Sequence, residues 1–243
     1  MKSYITLLLA IIASISAMAQ DYDISDTIIN SSHLRSTYYT KSSFFDSGTD
    51  FDTFIKTVDK TKPTVIHSHG CSGIWGDDTT LKNFYTGLGF NFVMLNFHKR
   101  GDASASCSSS GGFSYHADPY KRIPPRLLEL VNHINVLKAN GITTIYATGH
   151  SEGGMVVQLL QDEVSKAIIH SMSCVPLIEN ERNAKVQYLH LVSRNDPLLT
   201  RPGVSHICTN RNNYTTVTSS VRSHSALADP SWESKIKEFL NVK

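Results

Sequence analysis

From Pro63 onward the chain alternates short runs rich in β-branched and aromatic residues with longer segments of helical periodicity, and few architectures accommodate that alternation. Strands are predicted at Thr64–Ser68, Asn91–Phe97, Thr143–Thr148, Ala167–Ser171, Gln187–Ser193 and Tyr214–Ser219. Repeated strand–helix–strand units pack when the strands run parallel and helices cover the sheet. The helical stretches agree with this by spacing. Leu127, Leu130, Val131, Ile134 and Leu137 make one apolar face, and Asn140-Gly141 supplies a stop. A second helix follows Ser151 through Met155, Val156, Leu159 and Leu160. A third is predicted from Asp229-Pro230, an N-cap with proline at the first helical position, and carries Trp232, Ile236, Phe239 and Leu240 on one side. The expected fold class is α/β.

Ahead of this region lie two different segments. Residues 1–19 have the layout of a secretory signal peptide: Lys2, an apolar stretch from Ile5 to Ile15, and Ala17-Met18-Ala19 before Gln20. A run this short does not span a bilayer, so stable membrane insertion is not expected and the destination is secreted or periplasmic. Residues 20–61 are polar and rich in Ser, Thr and Asp, with weak alternation from Leu34 to Phe45 that suggests an edge hairpin. Residues 62–243 remain as one domain, and a monomer is expected.

The formal charge of +2 includes Lys2, and no block of Lys or Arg stands out. Lys99-Arg100 and Lys121-Arg122 read as solvated loop pairs, so nucleic acid is not expected as a partner. The Ser- and Gly-rich stretch from Asp102 to Ser114 reads as a loop after the Asn91–Phe97 strand.

Gly149-His150-Ser151-Glu152-Gly153-Gly154 lies between a predicted strand and a predicted helix, and so reads as G-x-S-x-G at a strand-to-helix turn. Such a turn exposes a serine oxygen to a base and aims backbone N–H groups at a substrate carbonyl. In an open α/β sheet the chemistry collects at the carboxyl ends of the strands. Asp196, in Arg194-Asn195-Asp196-Pro197, follows the Gln187 strand, and His224 follows the Tyr214 strand. Ser151, Asp196 and His224 thus occur in the order nucleophile, carboxylate, base. His206 competes as the base but precedes the last strand, which favours His224. His69-Gly70-Cys71-Ser72-Gly73 follows the first strand, and the N–H groups of Cys71 and Glu152 are the candidate oxyanion donors, with both side chains left free for other roles. Trp75, Arg100 and Tyr115 are candidate lining residues for a substrate.

His67 and His69 share a strand face near His98, but no Cys or carboxylate falls at a matching ligand spacing, so no metal is expected. Cys71, Cys107, Cys174 and Cys208 would meet an oxidising environment after export. Three pairings are open from the sequence. Placement after adjacent predicted strands favours Cys71–Cys107, which leaves Cys174–Cys208.

The elbow G-H-S-E-G-G, the loop H-G-C-S-G and the later Asp196 and His224 resemble the α/β-hydrolase superfamily, and the compact form looks closest to its dienelactone hydrolase-like branch. The resemblance runs from Pro63 to the C-terminus. It implies an eight-stranded sheet, trimmed or complete, a Ser151–His224–Asp196 triad, no cofactor, and an ester substrate; because only the short stretch Met172 to Val186 lies where many members insert a lid, no large lid domain is expected. The founding dienelactone hydrolases carry a cysteine in the elbow where this chain has Ser151, which points to a general carboxylesterase. An acyltransferase or serine peptidase on the same scaffold, and a hydrolase-like binding protein without turnover, stay open.

Overall fold

The predicted parallel strands form at β2 (Thr64–Ser68), β3 (Asn91–Leu95), β6 (Ile145–His150), β7 (Lys166–His170), β8 (Gln187–Ser193) and β9 (Tyr214–Ser219), joined by β1 (Ser36–Tyr39) in a sheet of order β1-β3-β2-β6-β7-β8-β9. The structure, a computed structural model, describes residues 36–39, 51–74, 76–95, 97, 107–108, 114–115, 119–160, 162–172, 185–198 and 213–243. All of these fall in one unit, Arg35–Lys243. Strands β3 to β9 of this sheet are parallel, and β1 pairs antiparallel with β3.

Helices α1 (Phe51–Thr57), α2 (Gly76–Gly87), α3 (Pro119–Ala139), α4 (Glu152–Val157) and α5 (Trp232–Leu240) complete the layers, with a 3-10 turn at Ala226–Ala228. On one sheet face Val65, Phe92, Met94, Ile168, Leu189 and Leu191 pack with Leu81 and Tyr85 of α2 and with Trp232, Ile236 and Leu240 of α5. Full burial of such a side chain contributes about 1.5–3 kcal/mol. Helix α4 packs against β2, β6 and β7, and α3 packs on α4. Leu130, Ile134 and Leu137 of α3 are fully buried, as the apolar spacing requires. That helix ends where Gly141, at φ 87, donates to Lys138 O while Ile142 donates to Leu137 O.

Several boundaries depart from expectation; β6 begins at Ile145, β7 runs one residue early at Lys166–His170, and α4 ends at Val157, before Leu159 and Leu160. Strand β3 stops at Leu95 because the Phe97 N–H leaves the ladder to donate to His69 Nε2 at 3.2 Å. Strand β6 runs on to His150, since Gly149 and His150 keep their register with Ile169 and His170. Helix α5 begins at Trp232, because the Asp229 carboxylate accepts the Ser231 N–H at 2.9 Å and forms a turn one step earlier. In the expected loop, β4 (Cys107–Ser108) and β5 (Ser114–Tyr115) form a short antiparallel ladder.

The N-terminal segment also differs. Ser36–Tyr39 joins the edge of the main sheet, so its partner is β3, and the second arm of the expected hairpin lies outside the described residues. Helix α1 was not expected within 20–61. Its signal was present in Phe54, Ile55 and Val58, which are all buried and fall at helical spacing. The segment 1–19 lies outside the described residues. Among the described residues, no helix is long and apolar enough to cross a membrane.

Candidate active site

Between β6 and α4 the chain reverses on Ser151, which takes φ 52 and ψ −119, a sparsely populated conformation for a residue with a Cβ. Its N–H donates to His170 O at 2.9 Å, and its carbonyl accepts the Met155 N–H at 3.2 Å, so the strained residue is held from both sides. The glycines around it are required by close approach. A Cβ on Gly149 would run into the Gly153 carbonyl, and one on Gly153 would run into the carbonyl oxygens of Ser68 and His69. The start of α4 therefore rests directly on the end of β2.

Two other strand ends converge on Ser151. Behind β8, Asp196 is fully buried, and its Oδ1 accepts the Leu198 N–H at 2.8 Å. The turn is tied to the end of β9, where Asn195 Nδ2 donates to Ser220 O at 2.8 Å and Arg194 N–H donates to Ser219 O at 2.9 Å. Behind β9, His224 Nδ1 lies 2.8 Å from Asp196 Oδ2, and its Nε2 lies 2.9 Å from Ser151 Oγ. With Nδ1–H donating to the carboxylate, Nε2 is the acceptor for the serine hydroxyl. The His224 side chain is 19% exposed, so the pair faces a solvent-reachable edge.

The turn after β2 lies beside this pair. Gly73 N–H donates to Gly70 O at 3.3 Å, and a Cβ placed on Gly70 would stand 3.4 Å from Ser151 Cβ. The next residue, Cys71, is buried and disulfide-bonded, one of the roles its side chain was left free to take. The Glu152 side chain takes another. Its carboxylate is buried and accepts from Arg126 Nη1, because α3 carries Arg126 into the same buried layer. Sequence reasoning passed over Arg126. The signal was its position one helical turn before Leu130, on the side of α3 that faces the core, where a guanidinium demands partners.

His150, next to Ser151, points inward. Its Nε2–H donates to the His224 carbonyl at 3.3 Å, and the two rings stand 5.3 Å apart. Burial, reinforced by the neighbouring His224, pushes its pKa down to about 4, so it is neutral. His170 bonds Thr148 Oγ1 through Nε2 at 3.0 Å and is likewise held well below the ordinary histidine range by burial. Ser171 was also missed. It has φ 51, and its Oγ accepts the Ala226 N–H at 2.8 Å, next to the loop that carries His224.

His67 and His69 do not face a common ligand. His67 Nε2 meets buried Asp78 Oδ1 at 2.5 Å, while His69 Nδ1 donates to Gly70 O at 2.6 Å. Among the described residues no three His, Cys, Asp or Glu side chains are grouped to hold a metal ion. Trp75, Arg100, His98, Cys174, His206 and Cys208 lie outside the described residues. Cys107 and Tyr115 are described as backbone only, paired across β4 and β5.

No family model matches the chain, and no curated protein matches its sequence. Solved structures do match. The esterase Pf2001 of Pyrococcus furiosus aligns over 75% of this chain and 84% of its own, with 17% identity and a TM-score of 0.52. Est1E of Butyrivibrio proteoclasticus, with ferulic acid bound, aligns over 76% of this chain and 91% of its own, with 14% identity and a TM-score of 0.54. The chain has the α/β-hydrolase fold, with strands in parallel order and the strand-to-helix turn at β6.

Proposed function

We propose that this chain is an exported serine hydrolase that cleaves carboxylic ester bonds. One observation carries the reading: the unbroken line from Ser151 Oγ to His224 Nε2 at 2.9 Å and from His224 Nδ1 to Asp196 Oδ2 at 2.8 Å. His224 takes the proton of Ser151 as Oγ attacks the acyl carbonyl, and buried Asp196 holds the tautomer and stabilises the imidazolium. Collapse of the tetrahedral species breaks the bond to the alcohol, which leaves with the proton from His224. Water, deprotonated by His224, then releases the acid from the acyl-enzyme. The N–H groups of Cys71 and Glu152 are assigned to the oxyanion, and loss of one such donor typically raises a barrier by about 3–4 kcal/mol. This cycle draws on no cofactor.

Export is supported by the layout of residues 1–19 and by the disulfide at Cys71, which belongs in an oxidising compartment. The esterase description of Pf2001, a protein of the same fold, supports an ester over an amide. The Ser151 elbow fits a carboxylesterase related to the dienelactone hydrolase-like branch. The test is labelling with a fluorophosphonate, followed by kcat/KM over aryl, alkyl and hydroxycinnamoyl esters with the matching amides. Labelling at Ser151 and turnover of esters above amides are expected. A folded protein that is neither labelled nor active would overturn the reading.

A further inference from the structure

The two groups assigned to the oxyanion come from different elements: Glu152 opens α4, whereas Cys71 lies in the turn after β2. A single side chain joins them. Arg126 Nη1 donates to the Glu152 carboxylate, and its Nη2 donates to His69 O and, at 3.3 Å, to Ser68 Oγ. Its guanidinium carbon stands 4.3 Å from the centroid of the Phe97 ring, and Phe97 in turn gives its N–H to His69. Arg126 is 4% exposed and Glu152 2%.

Stability alone is a weak reason for this arrangement. A buried ion pair must offset the desolvation of both charges, and well-packed apolar residues often serve as well or better. What the fork supplies is geometry. Its planar donors reach a carboxylate on one element and a carbonyl plus a hydroxyl on another, which the compact ammonium of a lysine does not reproduce. The contact falls where Gly153 lets α4 rest on the carbonyls of Ser68 and His69, so one side chain spans the seam between elbow and turn.

We infer that Arg126 is a positioning residue that clamps the end of β2 to the start of α4 and thereby fixes the spacing of the Cys71 and Glu152 amides. The oxyanion role rests on the serine hydrolase reading. The clamp itself does not. Because Arg126→Met leaves the Glu152 carboxylate buried without this partner, the paired variant Arg126→Met/Glu152→Gln is made alongside it, with Arg126→Lys as a third.

Two measurements on the full-length protein decide the matter. In the first, kcat and KM for p-nitrophenyl acetate are followed against pH. The folded double variant is expected to lose about 10²-fold in kcat with KM within about threefold, since oxyanion contacts act in the transition state. The pH of half-maximal activity is expected to stay in place, because His224 and Asp196 are untouched. Arg126→Lys is expected to recover only part of kcat. In the second, amide hydrogen exchange is read by mass spectrometry. Exchange across 69–73 is expected to quicken by roughly tenfold while β8 is unchanged. A folded double variant with wild-type kcat, a moved pH midpoint, or unchanged exchange across 69–73 would overturn the assignment. Should the wild type turn over no ester, the hydrolase reading falls with it, and the exchange measurement still decides whether Arg126 is the clamp.

Discussion

Ser171 Oγ accepts the N–H of Ala226 at 2.8 Å, so the strand end beside the elbow holds the loop that carries His224. Ser171 is fully buried and adopts φ 51, positive like that of Ser151, and the N–H of Ser151 donates to the carbonyl of His170, the residue before Ser171. Ser171→Ala leaves a buried N–H without this acceptor, which typically costs about 1–3 kcal/mol. Urea denaturation is expected to report that loss, and kcat on an aryl ester is expected to fall more than KM changes. Wild-type values for both would mean that the hydroxyl does not anchor the loop.

Removal of any member of the Ser151–His224–Asp196 line tests the proposed chemistry directly. Ser151→Ala and His224→Ala are each expected to lower kcat by about 10⁴-fold or more, with little change in the far-ultraviolet spectrum, because such residues act as a unit. Asp196→Asn is expected to be milder but still severe. His206→Ala is the comparison, since it is assigned no proton transfer and is expected to keep most of the activity. Reversal of the two histidine results would move the base from His224 to His206.

Acid should unfold this protein through its interior histidines. Burial holds His150 near pKa 4, and His170 well below its ordinary value. In the unfolded chain both return to about 6.5, so between about pH 4 and 6.5 the unfolded state binds more protons and stability rises with pH. Acidification through that window is expected to remove about 3 kcal/mol on account of His150 alone. Urea midpoints at pH 8, 6 and 4.5 measure the effect, and His150→Gln is expected to flatten the dependence. A midpoint independent of pH over that range would exclude buried neutral histidines as its source.

Peptide mapping without reduction is expected to join Cys71 to Cys107 and Cys174 to Cys208. Cys71 is disulfide-bonded and lies in the turn next to Ser151. Reduction is expected to lower stability by about 2–4 kcal/mol and to loosen the turn after β2. A crossed pairing would place the tether elsewhere and remove the link between the turn and β4.

Much of the sheet was legible because its strands are continuous apolar or β-branched runs bounded by turn residues. Thr64–Ser68, Gln187–Ser193 and Tyr214–Ser219 have the bounds expected of them, and β2 is buried along its whole length. The positions of Ser151, Asp196 and His224 were legible for a topological reason, since strand ends in a parallel sheet share one edge. Arg126 and Ser171 were not, because their roles depend on partners distant in sequence: Arg126 meets Glu152 and His69, and Ser171 meets Ala226. Local pattern is silent on such pairs. The start of α5 was misplaced because Asp229-Pro230 satisfies the rules for a cap, while the Asp229 carboxylate turns to Ser231 instead.

Strand β1 carries a consequence for how this protein can be produced. The residues of β3 from Asn91 to Leu95 are all buried, and β1 supplies the antiparallel partner on one side of them through Ser36↔Leu95 to Tyr39↔Phe92. A chain begun at Phe51 would keep every residue assigned to the chemistry, yet it would leave a buried strand, four of whose five residues are apolar, with open backbone groups at the sheet's edge. Such an edge templates pairing between molecules. Strand β1 covers that edge, so a chain begun at Phe51 is expected to self-associate more readily than the full chain, which size-exclusion chromatography of the two measures.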